Sequence, residues 1–285
     1  MSKQLKLLLL GCGDIASRLA AKLPEQHYTV TGVRRTLPAQ RPFTMLSADA
    51  THLDDMRDLL ALGFDAVVIT MTPSVRSEQG YRASYLKCVE TFLQAAAVSG
   101  SRPMVIFVSS TSVYGQNSGQ WVDETAATEP GSYSGQVLLA AEQRLQNSDL
   151  PNCIVRFSGI YGPGRQSQLR AARTGKPLTS PCGWTNRIHS EDCAGVLVHL
   201  LEKHRCGDRL SPLYTASDCQ PVKQWQLRNF LNEQLGEPGL PAPTTSDAVT
   251  GKRCSNRQLL NSGYQFLHTG YRSGYRELIE QFEES

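Results

Sequence analysis

The apolar positions of the chain switch repeatedly between two periods. A run ending in four leucines, Leu7–Leu10, stops at Gly11, and Ile15, Leu19 and Leu23 then recur on one face until Pro24. That is a strand followed by an amphipathic helix. His27–Val33 alternates as a second strand, Phe43–Leu46 reads as a third, and Leu53–Leu62 as the helix after it. Asp65–Thr70 is continuously apolar, as a strand buried on both faces must be. A long helix is predicted from about Gln79 to Val98, with Tyr85, Val89, Phe92 and Leu93 in phase, and Pro103–Val108 is a fifth strand. Strands alternating with helices in this way predict an α/β fold built on a doubly wound parallel sheet.

Beyond this region the pattern loosens. Gly162-Pro163-Gly164-Arg165 leaves the sheet, and Gln166–Trp184 is expected to floor a second, smaller lobe. A helix over Asp192–Lys203, capped by Ser190, returns to the sheet, and Leu213–Ala216 reads as a last short strand. Val222–Leu235 is an amphipathic helix of the lobe through Trp225, Leu227, Phe230 and Leu231, and Lys252–Asn256 with the tail Gly270–Phe282 close it. The expected division is a sheet domain over residues 1–161, completed by roughly 188–217, and a C-terminal lobe over 162–285. Gly236–Gly251, rich in Pro, Gly and Thr, is the stretch expected to move.

Composition narrows the classes. With 285 residues, 40% hydrophobic and 19% charged, the chain has a soluble globular make-up, and no apolar run approaches the roughly 20 residues of a membrane helix. A net charge of +3 from scattered basic residues argues against nucleic-acid binding. Eight cysteines include no CxxC pair and no zinc spacing, so no metal is expected and most of the thiols read as small core residues in a reducing cytoplasm. A lipoprotein signal ending at Cys12 is the competing reading of the start. It needs an apolar stretch of about 7–15 residues, against Leu7–Leu10 here, and a linker where Asp14 onward reads as helix.

The first strand and helix are joined by Gly11-Cys12-Gly13-Asp14-Ile15-Ala16, which has the G-x-G-x-x-A spacing of a dinucleotide fingerprint. Gly11 permits the turn, Gly13 lets backbone approach a pyrophosphate, and Ala16 lets the helix pack on the sheet. The anion then rests on the first amides of the helix, at Asp14 and Ile15. Arg34-Arg35 ends the second strand where a carboxylate would bond a ribose 2′-hydroxyl and an arginine would accommodate a 2′-phosphate. The pair favours NADP(H), with NAD(H) the alternative. Asp49 and Ala50 follow the third strand, where an adenine contact or a helix-capping acid is expected, and Thr70-Met71-Thr72-Pro73 breaks from the fourth strand as a loop beside the cofactor track.

Four further motifs, SSTSVYG from Ser109, VDETAATEP at Val122–Pro130, RFSGIYGPGR at Arg156–Arg165 and RIHSED at Arg187–Asp192, together resemble the extended short-chain dehydrogenase/reductase superfamily of the NAD-dependent epimerase/dehydratase type. The resemblance covers nearly the whole chain. It implies a Rossmann domain, a nicotinamide dinucleotide across its strand ends, and a lobe closing over a small carbonyl or nucleotide-sugar substrate. Ser110 matches the family's catalytic Ser/Thr that holds a substrate oxygen, although a strand-end hydroxyl also bonds backbone. Phe157 and Ser158 match positions facing the nicotinamide. Asp192 matches a residue that orders the loop before a helix, and His189 reads as a general acid or, as part of RIHSED, as another residue ordering that loop. Arg165 reads equally as a substrate anion site or a structural salt bridge. Pairing of helices 79–98 and 134–147 is how relatives dimerise, which implies a homodimer.

One part of the pattern departs. Active relatives carry a Tyr and, four residues later, a Lys. Here Tyr133 is followed at that spacing by Val137, and if Glu142 sets the register, Ser134 and Leu138 take the two places. Neither register contains a lysine. A phenol near the ordinary pKa of about 10 is roughly one part in a thousand ionised at pH 7, so base catalysis suffers more than proton donation. Tyr133 stays a catalytic candidate beside Ser110, placed just before the helix where a loop could aim it. Two functions stand: an NAD(P)-dependent oxidoreductase or epimerase with a degenerate dyad, and a non-catalytic NAD(P)-binding redox sensor or scaffold.

Overall fold

In the computed structural model, residues 4–40, 42–244 and 248–283 are described. Seven strands, β1 Leu5–Leu10, β2 Tyr28–Arg34, β3 Thr44–Ser47, β4 Ala66–Ile69, β5 Met104–Ser110, β6 Asn152–Phe157 and β7 Leu213–Ala216, form one parallel sheet in the order β3-β2-β1-β4-β5-β6-β7. The chain winds outward from β1 to β3, then restarts at β4 on the other side. The carboxyl ends of β1 and β4 therefore flank the point where the winding reverses, the place where open α/β sheets bind ligands. Register puts Leu10 beside Val33 on one side and beside Ile69 on the other. Leu7–Leu10, Ala66–Ile69 and Val105–Phe107 are fully buried, which explains why these strands read as unbroken apolar runs.

The helices are α1 Asp14–Lys22, α2 Leu53–Ala61, α3 Glu78–Tyr81, α4 Cys88–Ser99, α5 Tyr133–Gln146, α6 Ser167–Arg173, α7 Ser190–Arg205, α8 Gln224–Gln234, α9 Arg257–Asn261 and α10 Tyr271–Glu283. The long helix expected from Gln79 to Val98 is three pieces, α3 and α4 joined by a π-helical turn at Arg82–Lys87. Tyr133 is the first residue of α5 rather than part of the preceding loop, because Ser132 is the cap and accepts from the Gly135 amide at 3.3 Å. Ser190 opens α7 instead of capping it. Val222–Lys223 forms a short strand with Trp184–Thr185 before α8 begins. Of the stretch Gly236–Gly251, residues 245–247 lie outside the described residues.

The chain divides into two compact units. One comprises the chain up to Val113 with Thr128–Arg156 and Ala194–Tyr214, and the other comprises Tyr114–Ala127, Phe157–Cys193 and the chain from Thr215 onward. The first holds the sheet core. The second is built on Tyr161, Leu169, Leu227, Phe230, Leu231, Tyr271 and Tyr275, with Tyr161 stacked on Tyr275 at 4.3 Å between ring centres. The eight cysteines are thiols rather than disulfides, with Cys206 and Cys219 exposed.

Candidate functional site

The turn out of β1 is shaped by a contact that only glycine allows. Gly11 has φ +80°, and a Cβ there would sit 2.7 Å from Met71 Sδ and 2.9 Å from Met71 Cα. Thr70 locks the same turn, its hydroxyl donating to the Gly11 carbonyl at 3.0 Å and its amide to Leu10 at 2.9 Å. Gly13 is different. Its φ of −93° suits any residue, and a Cβ would meet nothing nearer than the Gly11 carbonyl at 3.8 Å. The protein leaves that space open at the N-terminus of α1, where the helix's first amides lack intrahelical acceptors.

Around this cradle the loops after β1, β2, β3 and β4 enclose a cleft of about 360 Å³ within the first unit. Gly11 and Gly13 line one side, Arg34, Arg35 and Thr36 another, and Ala48–Thr51, Met71, Thr72 and Ser74 the rest. Gly80, Ala83 and Ser84 add a wall from α3 and the π turn, a helical irregularity often found at functional sites. Gly80 fits because a Cβ would collide with the Val75 carbonyl oxygen.

The charges of the cleft are two arginines against one carboxylate. Asp49 is committed to its own loop: Oδ1 accepts from the Thr51 amide at 2.9 Å and hydroxyl at 2.7 Å. Burial opposes its charge, but those bonds, with His52 and Arg35, outweigh burial and hold the carboxyl below its ordinary range. Arg34 and Arg35 are exposed, with main-chain carbonyls bonded to Ala48 and Ser47.

The cleft thus gathers Gly11, Gly13, Arg34, Arg35, Asp49, Ala50 and Met71 from the expected residues. Asp14 pairs its carboxylate with Arg18 at 2.8 Å and Ile15 buries its side chain, and neither side chain lines the cleft. Thr70 supports the turn from behind. Phe157 and Ser158 belong to the second unit; both are buried, and the Ser158 hydroxyl has no hydrogen-bond partner among the described residues. Thr72, in the loop expected beside the cofactor track, also lines the cleft, whereas Thr36, Thr51, Ser74, Gly80, Ala83 and Ser84 went unrecognised in the sequence.

The catalytic candidates sit at the ends of β5 and the start of α5. Ser110 Oγ accepts from the Ser112 amide at 3.1 Å. The Tyr133 ring is 40% exposed, lies edge-on to Tyr81, and donates its hydroxyl to the Arg76 carbonyl at 3.2 Å. A fully buried network fixes the rotation of α5. Glu142 accepts from Ser109 Oγ at 2.5 Å and from Arg156 at 2.6 Å, joining α5 to β5 and β6. Ser134 and Leu138 precede Glu142 by two and one i,i+4 steps and share its face. No lysine occurs in α5.

The family model that this sequence matches, over residues 11–204, is described as NAD(P)H-binding. The chain belongs to that NAD(P)H-binding family. It is also a member of the extended short-chain dehydrogenase/reductase superfamily, and its cofactor is a nicotinamide dinucleotide. Protein YeeZ of Escherichia coli K12 is 35% identical over 281 residues, covering 92% of this chain and 96% of its own length. A Methylobacillus flagellatus structure assigned as an NAD-dependent epimerase/dehydratase is 35% identical with a TM-score of 0.86, covering 99% of this chain and all of that one. The fold recurs in UDP-glucuronic acid 4-epimerase from Bacillus cereus in complex with NAD, at 19% identity, a TM-score of 0.77 and 95% and 96% coverage of the two chains. Among the described residues no helix is long and apolar enough to cross a membrane, and no group of three or more His, Cys, Asp or Glu is placed to hold a metal.

Proposed function

We propose that this chain is an NAD(P)-dependent oxidoreductase or epimerase that acts on a small carbonyl or nucleotide-sugar substrate and prefers NADP(H). The observation that carries the reading is a single cleft in which the open space beside Gly13 faces the Arg34–Arg35 wall. In this reading the amides of Asp14 and Ile15 hold the pyrophosphate, the two arginines take the ribose 2′-phosphate, and Asp49, Ala50 and Met71 border the adenosine. The unpartnered hydroxyl of Ser158 beside Phe157 suits the carboxamide of the nicotinamide ring. Bound cofactor supplies the hydride chemistry. Ser110 orients the substrate oxygen, and Tyr133 is the candidate proton donor.

Titration with NADPH and NADH, followed by nicotinamide fluorescence, tests the cofactor reading. The double substitution Arg34→Ala/Arg35→Ala is expected to weaken NADPH binding by about ten- to a hundredfold and leave NADH unchanged. Equal loss for both nucleotides would remove the preference, and no binding of either would remove the enzyme. Turnover unchanged in Ser110→Ala would end the role given to that hydroxyl. A homodimer through helices 79–98 and 134–147 completes the reading, and sedimentation as a monomer at high micromolar concentration would exclude it.

A second reading, a non-catalytic NAD(P)-binding redox sensor, is favoured by the Tyr133 hydroxyl being engaged by the Arg76 carbonyl and by the lack of lysine in α5. Cofactor binding without turnover across a broad panel of carbonyls and nucleotide sugars would select it. One robust substrate would dismiss it.

A further inference from the structure

Within the second unit lies a pocket of about 380 Å³ to which the cofactor reading assigns nothing. Its frame is a set of short backbone pairings. Arg253–Cys254 runs parallel to Trp121–Val122, and Trp184–Thr185 runs antiparallel to Val222–Lys223. Gly119 and Gly251, with φ of +79° and +73°, let their segments close on Trp184, and a Cβ on Gly251 would collide with the Trp184 carbonyl. The Gly119 amide donates to the Gly251 carbonyl at 2.7 Å, and the Trp184 amide to the Thr250 carbonyl at 2.9 Å.

This frame concentrates positive charge against aromatic rings. The Arg253 guanidinium lies 5.0 Å from the ring centres of both Trp121 and Trp184, while its Nε donates to the Gly119 carbonyl at 2.8 Å. Arg272 lies 4.7 Å over the Tyr271 ring, and Lys223, opposite Trp184 in the strand pair, is 5.8 Å from that indole. No carboxylate lines the pocket; Arg253 and Arg272 line it, Lys223 stands beside it, and among the described residues none of the three has a carboxylate partner. Tyr271, 1% exposed and part of the lining, has a hydroxyl with no hydrogen-bond partner among the described residues.

We propose that this pocket binds a small dianion, a phosphate monoester or a dicarboxylate. A concave site lined by one sign of charge with apolar walls focuses its potential on the opposite sign. Guanidinium forks match the paired oxygens of phosphate and carboxylate. The flanking indoles hold Arg253 in place, so little side-chain freedom is lost on binding. The inference goes beyond the cofactor reading and does not rest on it.

Trp121 and Trp184 are two of the three tryptophans in the chain, so a Trp225→Phe background leaves only pocket indoles to report. Glycerol 3-phosphate, malonate and glycerol are titrated at constant ionic strength while tryptophan emission is followed. A saturable change with either dianion and none with glycerol is expected, and the dianion that saturates at lower concentration assigns the ligand chemistry. Arg272→Ala, at an exposed position, is expected to weaken that binding about tenfold with an unchanged melting temperature. Arg253→Lys, which keeps the charge and loses the fork, is expected to weaken it as well. Emission that follows ionic strength alone, or equal affinity in Arg272→Ala, would overturn the proposal. NADPH fluorescence on the same protein reads the cofactor cleft separately, so failure of one site is distinguished from failure of the other.

Discussion

In the cleft beside Gly13 the cradle is backbone and small residues, with Arg34 and Arg35 as one outer wall, while around Trp184 the walls are long rings and cations brought together from scattered segments. The first space exists because side chains are missing; the second exists because side chains hold one another up. Sites of the first kind depend on backbone conformation and tolerate little added volume. Sites of the second kind depend on ring–cation contacts and tolerate changes that keep those contacts.

The strongest challenge to this contrast is Glu142, where the unit carrying the cleft itself relies on a buried ion pair. Glu142→Ala leaves Arg156 buried without its carboxylate and is expected to cost about 3–5 kcal/mol in chemical denaturation. A loss under 1 kcal/mol would mean that α5 is positioned by packing alone. Next, Gly11→Ala is expected to lose about 2 kcal/mol, from the positive φ and the Met71 backbone together, and to abolish NADPH binding.

A smaller effect belongs to the second unit. Burial, opposed by the Gln220 amide and Arg187 and reinforced by Asp192, pushes the Asp218 carboxyl from 3.8 to about 7. The folded state then holds a proton that the unfolded chain releases, so stability falls as pH rises from 3.8 to about 7. Asp218→Asn removes that slope, and its melting temperature relative to the parent should climb across the same interval. A pH-independent difference would mean that Asp218 titrates normally. The finest cut is Gly13→Ala, expected to change stability by less than about 1 kcal/mol while weakening NADPH by tenfold or more. If stability and binding fell together, Gly13 would be serving the fold rather than the ligand.

The cleft was legible where its residues are consecutive. Gly11, Gly13, Arg34, Arg35 and Met71 each lie next to a strand whose apolar run marks its end, so their place follows from local pattern. Thr51, Ser74, Ala83 and Ser84 carry no such mark, since small and hydroxyl residues are common in any loop or helix. The pair Ser109-Ser110 shows a finer limit. Neighbouring strand residues point to opposite faces, and the motif alone did not show that Ser109 would bond Glu142 while Ser110 accepts from Ser112. The pocket around Trp184 was invisible because its members are scattered from Trp121 to Arg272, and no period or spacing connects them.

The π turn at Arg82–Lys87 has a consequence for how this protein can change. A π turn spends one residue more per turn than an α-helix, so the helical faces before and after it are offset by about 100° from the uninterrupted phase. The segment carrying Gly80, Ala83 and Ser84 to the cleft is thereby uncoupled in orientation from α4, whose Val89, Phe92 and Ala96 are buried in the core. Deleting a single residue there would turn one of these surfaces against the other. Substitutions on the cleft side, by contrast, can accumulate without re-aiming the core, so this helix lets ligand preference drift while the fold's interior stays still.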